Sequence, residues 1–268
     1  MIDSGTWHYG LLARWWAEFN IAEPHELAYY RGAIEKFGQP VLDLGCGTGR
    51  FLIPLRAEGL DVDGVDISGD MIDQVRAQAA RLESKPGLFV QALHEIDVPR
   101  RYRTMYLCGV FGIGGRRDRD REALRRAYEH LEPGGALLII HELPYDEDDK
   151  GWSEWRPGHL GVYPQPWPEE GNRRRSANGD EIELLTRVVE FDPLRQQVVL
   201  GMRARLWRDG SVVSEEPYTL KTCLYFAQEV VSMLEGAGFS DVAIEGHYNG
   251  QPATAEDGTV ILVARKRG

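Results

Sequence analysis

Cysteine is scarce in this chain of 268 residues. The three present, Cys46, Cys108 and Cys223, are odd in number and far apart, so neither a disulfide framework nor a C-x-x-C metal site is available. No structural metal is expected. Positive charge is also in deficit, with 31 Lys+Arg against 42 Asp+Glu and a formal net charge of -11. The basic runs Arg116-Arg117 and Arg173-Arg174-Arg175 are offset by Asp118, Asp120 and the acidic stretch 146–149, which excludes nucleic acid as the default partner. Long hydrophobic runs are missing too. The longest purely aliphatic one, Ala136–Ile140, falls far short of the ~20 residues that cross a bilayer, and Met1-Ile2-Asp3-Ser4 has no basic start to a signal peptide. The expectation is a soluble, cytoplasmic protein with no membrane partner, for which a homodimer is compatible. With 43% apolar residues, the chain has enough material for a sizeable core.

What is there is an alternation of short β-branched runs with helical patterns from Gln39 onward, which points to a parallel sheet of βαβ units. The expected strands are Val41–Leu44, Val62–Asp66, Leu88–Ala92, Thr104–Leu107 and Ala136–His141. Ser68 is placed to cap a helix whose Met71, Ile72, Val75, Ala79 and Leu82 share a face, and a second helix runs from about Arg119 to Leu131 before the turn Glu132-Pro133-Gly134-Gly135. Residues 145–179 are rich in Pro, Gly, Trp and charge without a period, and read as a lid. Glu181–Phe191, Gln197–Trp207 and Ser211–Leu224 follow, with Asp209-Gly210 as a hairpin signal, so they read as an antiparallel three-stranded meander. A helix from Ala227 to Ala237 and strands Val242–His247 and Thr259–Ala264 close the chain. The expected organisation is a helical cap over residues 1–38, a sheet domain over 39–144 and 226–268, and a substrate-covering insertion over 145–225.

The most informative segment is Val41-Leu42-Asp43-Leu44-Gly45-Cys46-Gly47-Thr48-Gly49-Arg50, an apolar strand entering a glycine-rich turn and then a helix. Glycines at 45, 47 and 49 allow a tight turn and close approach to a nucleoside at the carboxyl edge of the sheet. Asp66 ends the second strand 21 residues after Gly45, where a carboxylate accepts hydrogen bonds from ribose hydroxyls. The spacing G-x-G-x-G is not the dinucleotide fingerprint G-x-G-x-x-G, and Arg50 stands where that motif wants glycine. Asp43 would repel a pyrophosphate but suits a cationic ligand such as the ammonium and sulfonium of S-adenosyl-L-methionine.

Here the sequence resembles the class I S-adenosylmethionine-dependent methyltransferases, over roughly 41–140 and 227–265. Asp43, Gly45, Gly47 and Gly49 match their motif [DE]-x-G-x-G-x-G, Asp66 in Gly64-Val65-Asp66-Ile67-Ser68 matches their ribose acid, and Leu131-Glu132-Pro133-Gly134-Gly135-Ala136 looks like the turn before their fifth strand. The resemblance implies a Rossmann-like, doubly wound, mostly parallel seven-stranded sheet of the α/β class, carrying the meander and lid as an insertion. It also implies that Ile67 packs on the adenine, that Met71 lines the same pocket and that the Leu93 backbone meets the ring edge. Ala92 stands where many relatives carry an adenine-binding Asp, so Gln91 or His94 is expected to take over that bond. Cys46 contributes only its backbone to the turn, and Cys108 with Gly109 is expected to border the methyl donor, since ligands gather at strand carboxyl ends.

Aromatic residues cluster near the amino end and in the lid, partly as core and partly as pocket walls facing a sulfonium. Tyr9, Tyr30, Phe111 and Trp152 are the expected substrate-binding ones. Among seven histidines, His8, His25 and His130 read as surface or core. His141 ends the fifth strand with Glu142 beside it, and these are the candidate catalytic pair. The implied activity is methyl transfer to an oxygen or nitrogen of a small molecule, of the natural-product or sugar kind that the insertion resembles, with S-adenosyl-L-homocysteine as product. Leu107–Phe111 lacks an Asn-Pro-Pro-Tyr-type segment, which argues against DNA methylation. The competing readings are a nicotinamide-dependent oxidoreductase, disfavoured by the glycine spacing and Asp43, and a non-catalytic protein that binds S-adenosylmethionine.

Overall fold

The computed structural model describes residues 8–144 and 153–268. Its main sheet is built from β1 (Val41–Leu44), β2 (Val62–Asp66), β3 (Leu88–Val90), β4 (Tyr102–Cys108), β5 (Leu131–Glu142), β10 (Ser240–Gly246) and β11 (Thr259–Arg265), in the order β10-β11-β5-β4-β1-β2-β3. β1 pairs in parallel with both β2 and β4, and β11 alone runs antiparallel, between β5 and β10. The chain therefore reverses its direction of travel across the sheet at β1, and the carboxyl ends of β1 and β4 open a crevice there.

Alternation along each strand sends apolar side chains to two separate cores. On one face Leu42, Leu44, Met105, Leu107, Leu137 and Ile139 pack against Leu124 and Ala127 of α5 (Arg117–His130) and Val230 and Leu234 of α6 (Ala227–Gly236). On the other, Val41, Val62, Tyr106 and Leu138 meet Tyr30, Ile34 and Phe37 of α2 (Pro24–Phe37), Leu52 and Leu55 of α3 (Leu52–Ala57), and Ile72 and Val75 of α4 (Gly69–Ala79). Each such fully buried aliphatic side chain contributes about 1.5–3 kcal/mol relative to exposure.

A second sheet, ordered β6-β7-β8-β9, comprises β6 (Asn172–Arg175), β7 (Glu181–Asp192), β8 (Gln197–Arg208) and β9 (Ser211–Cys223), all antiparallel. Asp209 and Gly210 both take positive φ between β8 and β9, as a two-residue hairpin requires. The expected three-stranded meander thus has a fourth strand, β6. It is an exposed edge of charged side chains, held by Arg173 and Arg175 on Glu181 across the ladder rather than by an apolar face.

In the described part of the expected lid, two tryptophans have partners in or beside the antiparallel sheet. Trp155 packs edge-on against Phe191 and Phe226, each 5.3 Å away, and Trp167 lies between the guanidinium groups of Arg187 and Arg203 at 4.4 and 4.1 Å. Residues 153–171 are thus fastened to the antiparallel sheet. Trp152 lies outside the described residues.

The two amino-terminal helices part company. α2 belongs to the main sheet, while Leu11 and Leu12 of α1 (Gly10–Phe19) pack with Met202, Ala204, Tyr218 and Leu220 of the antiparallel sheet.

Candidate functional site

The crevice is shaped first by backbone. Gly45, Gly47 and Gly49 all have positive φ, and the Gly45 and Cys46 N–H groups donate to the Val65 carbonyl, which binds the turn to β2. A Cβ on Gly45 would lie 2.7 Å from Val110, whereas nothing stands within 4 Å of one on Gly47, so this loop is open on its ligand-facing side. The sequence needs glycine at 45 both for φ and for room.

Asp66 closes the arrangement. One of its carboxylate oxygens accepts the Gly47 N–H at 2.9 Å and the other accepts the Ser68 N–H at 2.8 Å, with the residue only 7% exposed. Burial holds this carboxyl above its usual range. Asp43, 2% exposed, accepts from the Tyr106 hydroxyl at 3.1 Å, and burial together with the nearby Asp66 raises its carboxyl to about 8. Arg50 lowers the Asp43 carboxyl only in part, because its guanidinium is held by Glu26 at 2.6 Å, so a further cation beside Asp43 would favour its ionised form.

A cleft opens beside Asp66, while Asp43 lies buried behind the turn and is not among the residues that line it. Gly45, Asp66 and Ile67 form one end, with Ile67 40% exposed despite its size. Ala92, Leu93 and His94 follow from the end of β3, and Val110, Phe111 and Ile113 come from the segment after β4. Of the expected residues, Gly45, Asp66, Ile67, Leu93, His94 and Phe111 therefore line a common space.

Others do not. Met71 is buried at the start of α4, its N–H capped by the Ser68 hydroxyl at 3.2 Å, and it is not among the cleft residues. Gln91 spends its side chain on both main-chain groups of Asp97 and so braces the turn after β3. Cys108 is half-buried beside the Tyr248 hydroxyl at 3.6 Å, and loss of solvent around its sulfur pushes its thiol up. Tyr30, 1% exposed, is core, with its ring against Phe51 and Tyr106. Tyr9 is surface-facing and leans on Tyr218 at 4.8 Å.

His141 shares a sheet face with Leu137 and Ile139, and its Nε2 lies 2.8 Å from the Tyr225 carbonyl. A carbonyl only accepts, so Nε2 carries the proton, and burial lowers the ring's pKa and keeps it neutral. It does not line the cleft, and neither does Glu142, which is exposed at the strand end. The structure thus gives His141 the task of tying the exit of the insertion to β5, contrary to the catalytic role expected from its position. His141→Ala is expected to cost roughly 1–3 kcal/mol of stability in denaturant unfolding, without the hundredfold or greater fall in kcat that loss of a proton-transfer group brings. A fall of that size in a fully folded variant would restore the catalytic role.

Sequence reasoning missed several cleft residues. His8, expected at the surface or in the core, lines the cleft, and burial draws its ring down to about 4. It is held there by a latch. The Ser68 hydroxyl donates to the His8 carbonyl, the Gly10 N–H donates to Asp70 at 2.8 Å, and the Tyr218 hydroxyl donates to the Tyr9 carbonyl at 3.1 Å. The start of α1 is thereby fixed both to α4, next to Asp66, and to β9. Gly10 has φ +56°, and a Cβ there would come within 2.2 Å of Glu216. Gly10→Ala should therefore free residues 8–19, read as faster limited proteolysis in that segment with a melting temperature changed by no more than roughly 8 °C. Cleavage at the wild-type rate would contradict the latch.

Comparison with known proteins agrees with this geometry. Residues 41–135 match the family profile described as Methyltransferase domain. A protein of Geobacillus sp. (strain WCH70) named as a methyltransferase is 25% identical over 147 residues, 52% of this chain and 60% of its own. The carboxy-S-adenosyl-L-methionine synthase of Yersinia enterocolitica is 27% identical over 125 residues, 44% of this chain and 47% of its own. The chain thus spans about half to three fifths of the length of these relatives. Among solved structures, the CcbJ methyltransferase from Streptomyces caelestis superposes with a TM-score of 0.72 at 20% identity, covering 98% of this chain and 99% of that one, a likeness of fold. No helix among the described residues is long and apolar enough to cross a membrane.

Proposed function

Residues 41–135 carry a methyltransferase domain, and on that premise we propose that the chain transfers a methyl group from S-adenosyl-L-methionine to an oxygen or nitrogen of a small molecule, releasing S-adenosyl-L-homocysteine. The observation that carries this reading is the pair of buried carboxylates, Asp43 and Asp66, at an open glycine turn. An anionic dinucleotide would meet the Asp66 carboxylate and gain nothing from Asp43, whereas a nucleoside bearing an ammonium and a sulfonium draws Asp43 into its ionised form.

In this reading Asp66 keeps its two main-chain N–H partners and still has lone pairs for the ribose hydroxyls. Ile67 supplies an apolar platform for the base, with Val110 and Phe111 opposite. Asp43 and the Tyr106 hydroxyl set the potential where the cationic tail lies. The donor, once bound, supplies a methyl group on positively charged sulfur, which leaves with its bonding electrons as the acceptor's lone pair attacks. The chain's contribution is to hold both reactants in line and to exclude water with α1 and the antiparallel sheet. Positioning of that kind supplies ~7–11 kcal/mol at best. In this reading the acceptor is of the natural-product or sugar kind, and the antiparallel sheet, which lies outside the matched domain, reaches the cleft lining through the bridge between Thr222 and Ile113.

A second reading, chemistry on the donor itself, has in its favour the Yersinia relative, whose name is that of a synthase of a carboxylated S-adenosylmethionine. Product analysis separates the two. Incubated with S-adenosylmethionine and fractionated metabolites, the protein is expected to add one CH2 unit to a small molecule and to release S-adenosylhomocysteine in equal amount. A carboxylated donor as product, or donor binding with no product at all, would overturn methyl transfer.

A further inference from the structure

At the adenine end of the cleft, His94 of the two expected partners lines the space, with its Nε2 3.5 Å from a Glu95 carboxylate oxygen, and the other does not. Ala92 is apolar, and the Gln91 side chain is closed on Asp97. A base with an exocyclic amino group needs an acceptor, because a buried amino group without one loses its hydration for nothing. Among the described residues the cleft lining includes one carboxylate besides Asp66. It is Asp120, in the first turns of α5, buried, with its side chain in the same cleft as Ile67, Leu93 and Val110. Its Oδ2 accepts from the Tyr225 hydroxyl at 2.5 Å, which fixes its orientation. Burial raises its carboxyl to about 6, against the lowering effect of Tyr225, the Arg117 charge and the Gly112 main chain. At neutral pH it is ionised, and with Tyr225 and Gly112 as partners it still has acceptor capacity left.

We propose that Asp120 is the residue that selects the adenine base, accepting the 6-amino group from helix α5 in place of a carboxylate after β3. The two acids of the cleft then divide the nucleoside between them, Asp66 on β2 taking the ribose hydroxyls and Asp120 the amino group. Such a residue gives specificity more than affinity. A purine lacking the amino group leaves the Asp120 carboxylate buried and short of a donor, which is the costly case. Tyr225 is a positioning residue here. It is held in turn by the Arg117 guanidinium stacked 4.5 Å from its ring centre.

This inference rests on the proposed use of S-adenosylmethionine, and the test keeps the two apart. Binding of S-adenosylhomocysteine is compared by calorimetry with that of its analogue carrying hydrogen in place of the 6-amino group. The wild-type protein is expected to prefer the amino compound by about tenfold or more. Asp120→Ala should bring the two affinities to within about twofold, while Tyr225→Phe keeps most of the preference. A purely structural Asp120 would weaken both ligands equally and leave the ratio unchanged, and that outcome overturns the proposal. Equal binding of the two compounds by the wild-type protein, which needs no variant to fold, also overturns it while leaving the donor reading intact. Failure of the wild-type protein to bind either one rejects the donor reading together with it.

Discussion

Asp66→Ala is expected to weaken binding of S-adenosylhomocysteine by about 10- to 150-fold, the equivalent of ~1.5–3 kcal/mol for loss of a charged acceptor. The structure adds a second reason for a large effect. The same carboxylate holds the Gly47 and Ser68 N–H groups, so its loss also releases the glycine turn and the start of α4. Asp66→Asn keeps one acceptor for a main-chain N–H but sets an amide N–H against the other, and should fall between wild type and alanine. A folded Asp66→Ala protein with unchanged affinity in calorimetry would move the ribose elsewhere.

The second large effect is a pH dependence set by Asp43. Burial raises its carboxyl to about 8, so at pH 6 the ligand-free protein holds it protonated. A cationic ligand favours the ionised form, which means that binding expels a proton and tightens as pH rises towards 8. The limit is about tenfold per pH unit. Between pH 5.5 and 7.5 the affinity for S-adenosylmethionine should therefore climb, and calorimetry in buffers of different ionisation enthalpy should register proton release. His8, Asp66, His94 and Asp120 line the cleft and are shifted from their usual ranges, so the control is Asp43→Asn, which should flatten most of the slope. An unchanged slope in that variant would assign the proton to another group.

Much of this was legible in the sequence because some signals are local. β1 and β2 fall on the expected residues, since each is a short apolar run closed by a turn, and Ser68 caps α4 as its position implied. Asp209-Gly210 makes its hairpin for purely backbone reasons. β6 was not legible, because an edge strand of Asn-Arg-Arg-Arg has no inward face to write an alternation into the sequence. β5 begins at Leu131, five residues ahead of the expected strand, because Leu131 pairs with Tyr102 across a register shift while Gly134 takes positive φ in the turn.

Asp120 was hidden for a different reason. Within Arg116–Glu122 it reads as one more charge on a solvated helix, and only the fold brings Tyr225, 105 residues away, to its carboxylate. His8 depends likewise on the latch to Ser68 and Asp70. For His141 the strand-end position was right, and the two-residue period shared with Leu137 and Ile139 indicates its face. What covers that face, the Tyr225 carbonyl, follows only from where the insertion returns to the sheet.

The central claim is that a glycine turn between two buried acids was built for a cationic nucleoside and not for a dinucleotide. Side-by-side calorimetry of the full chain with S-adenosylhomocysteine and with NAD, repeated on Asp66→Ala, tests it most directly. The account predicts saturable binding of S-adenosylhomocysteine at one site per chain, a loss of at least tenfold in the variant, and no heat of binding from NAD. Saturable NAD binding with none from S-adenosylhomocysteine would contradict it.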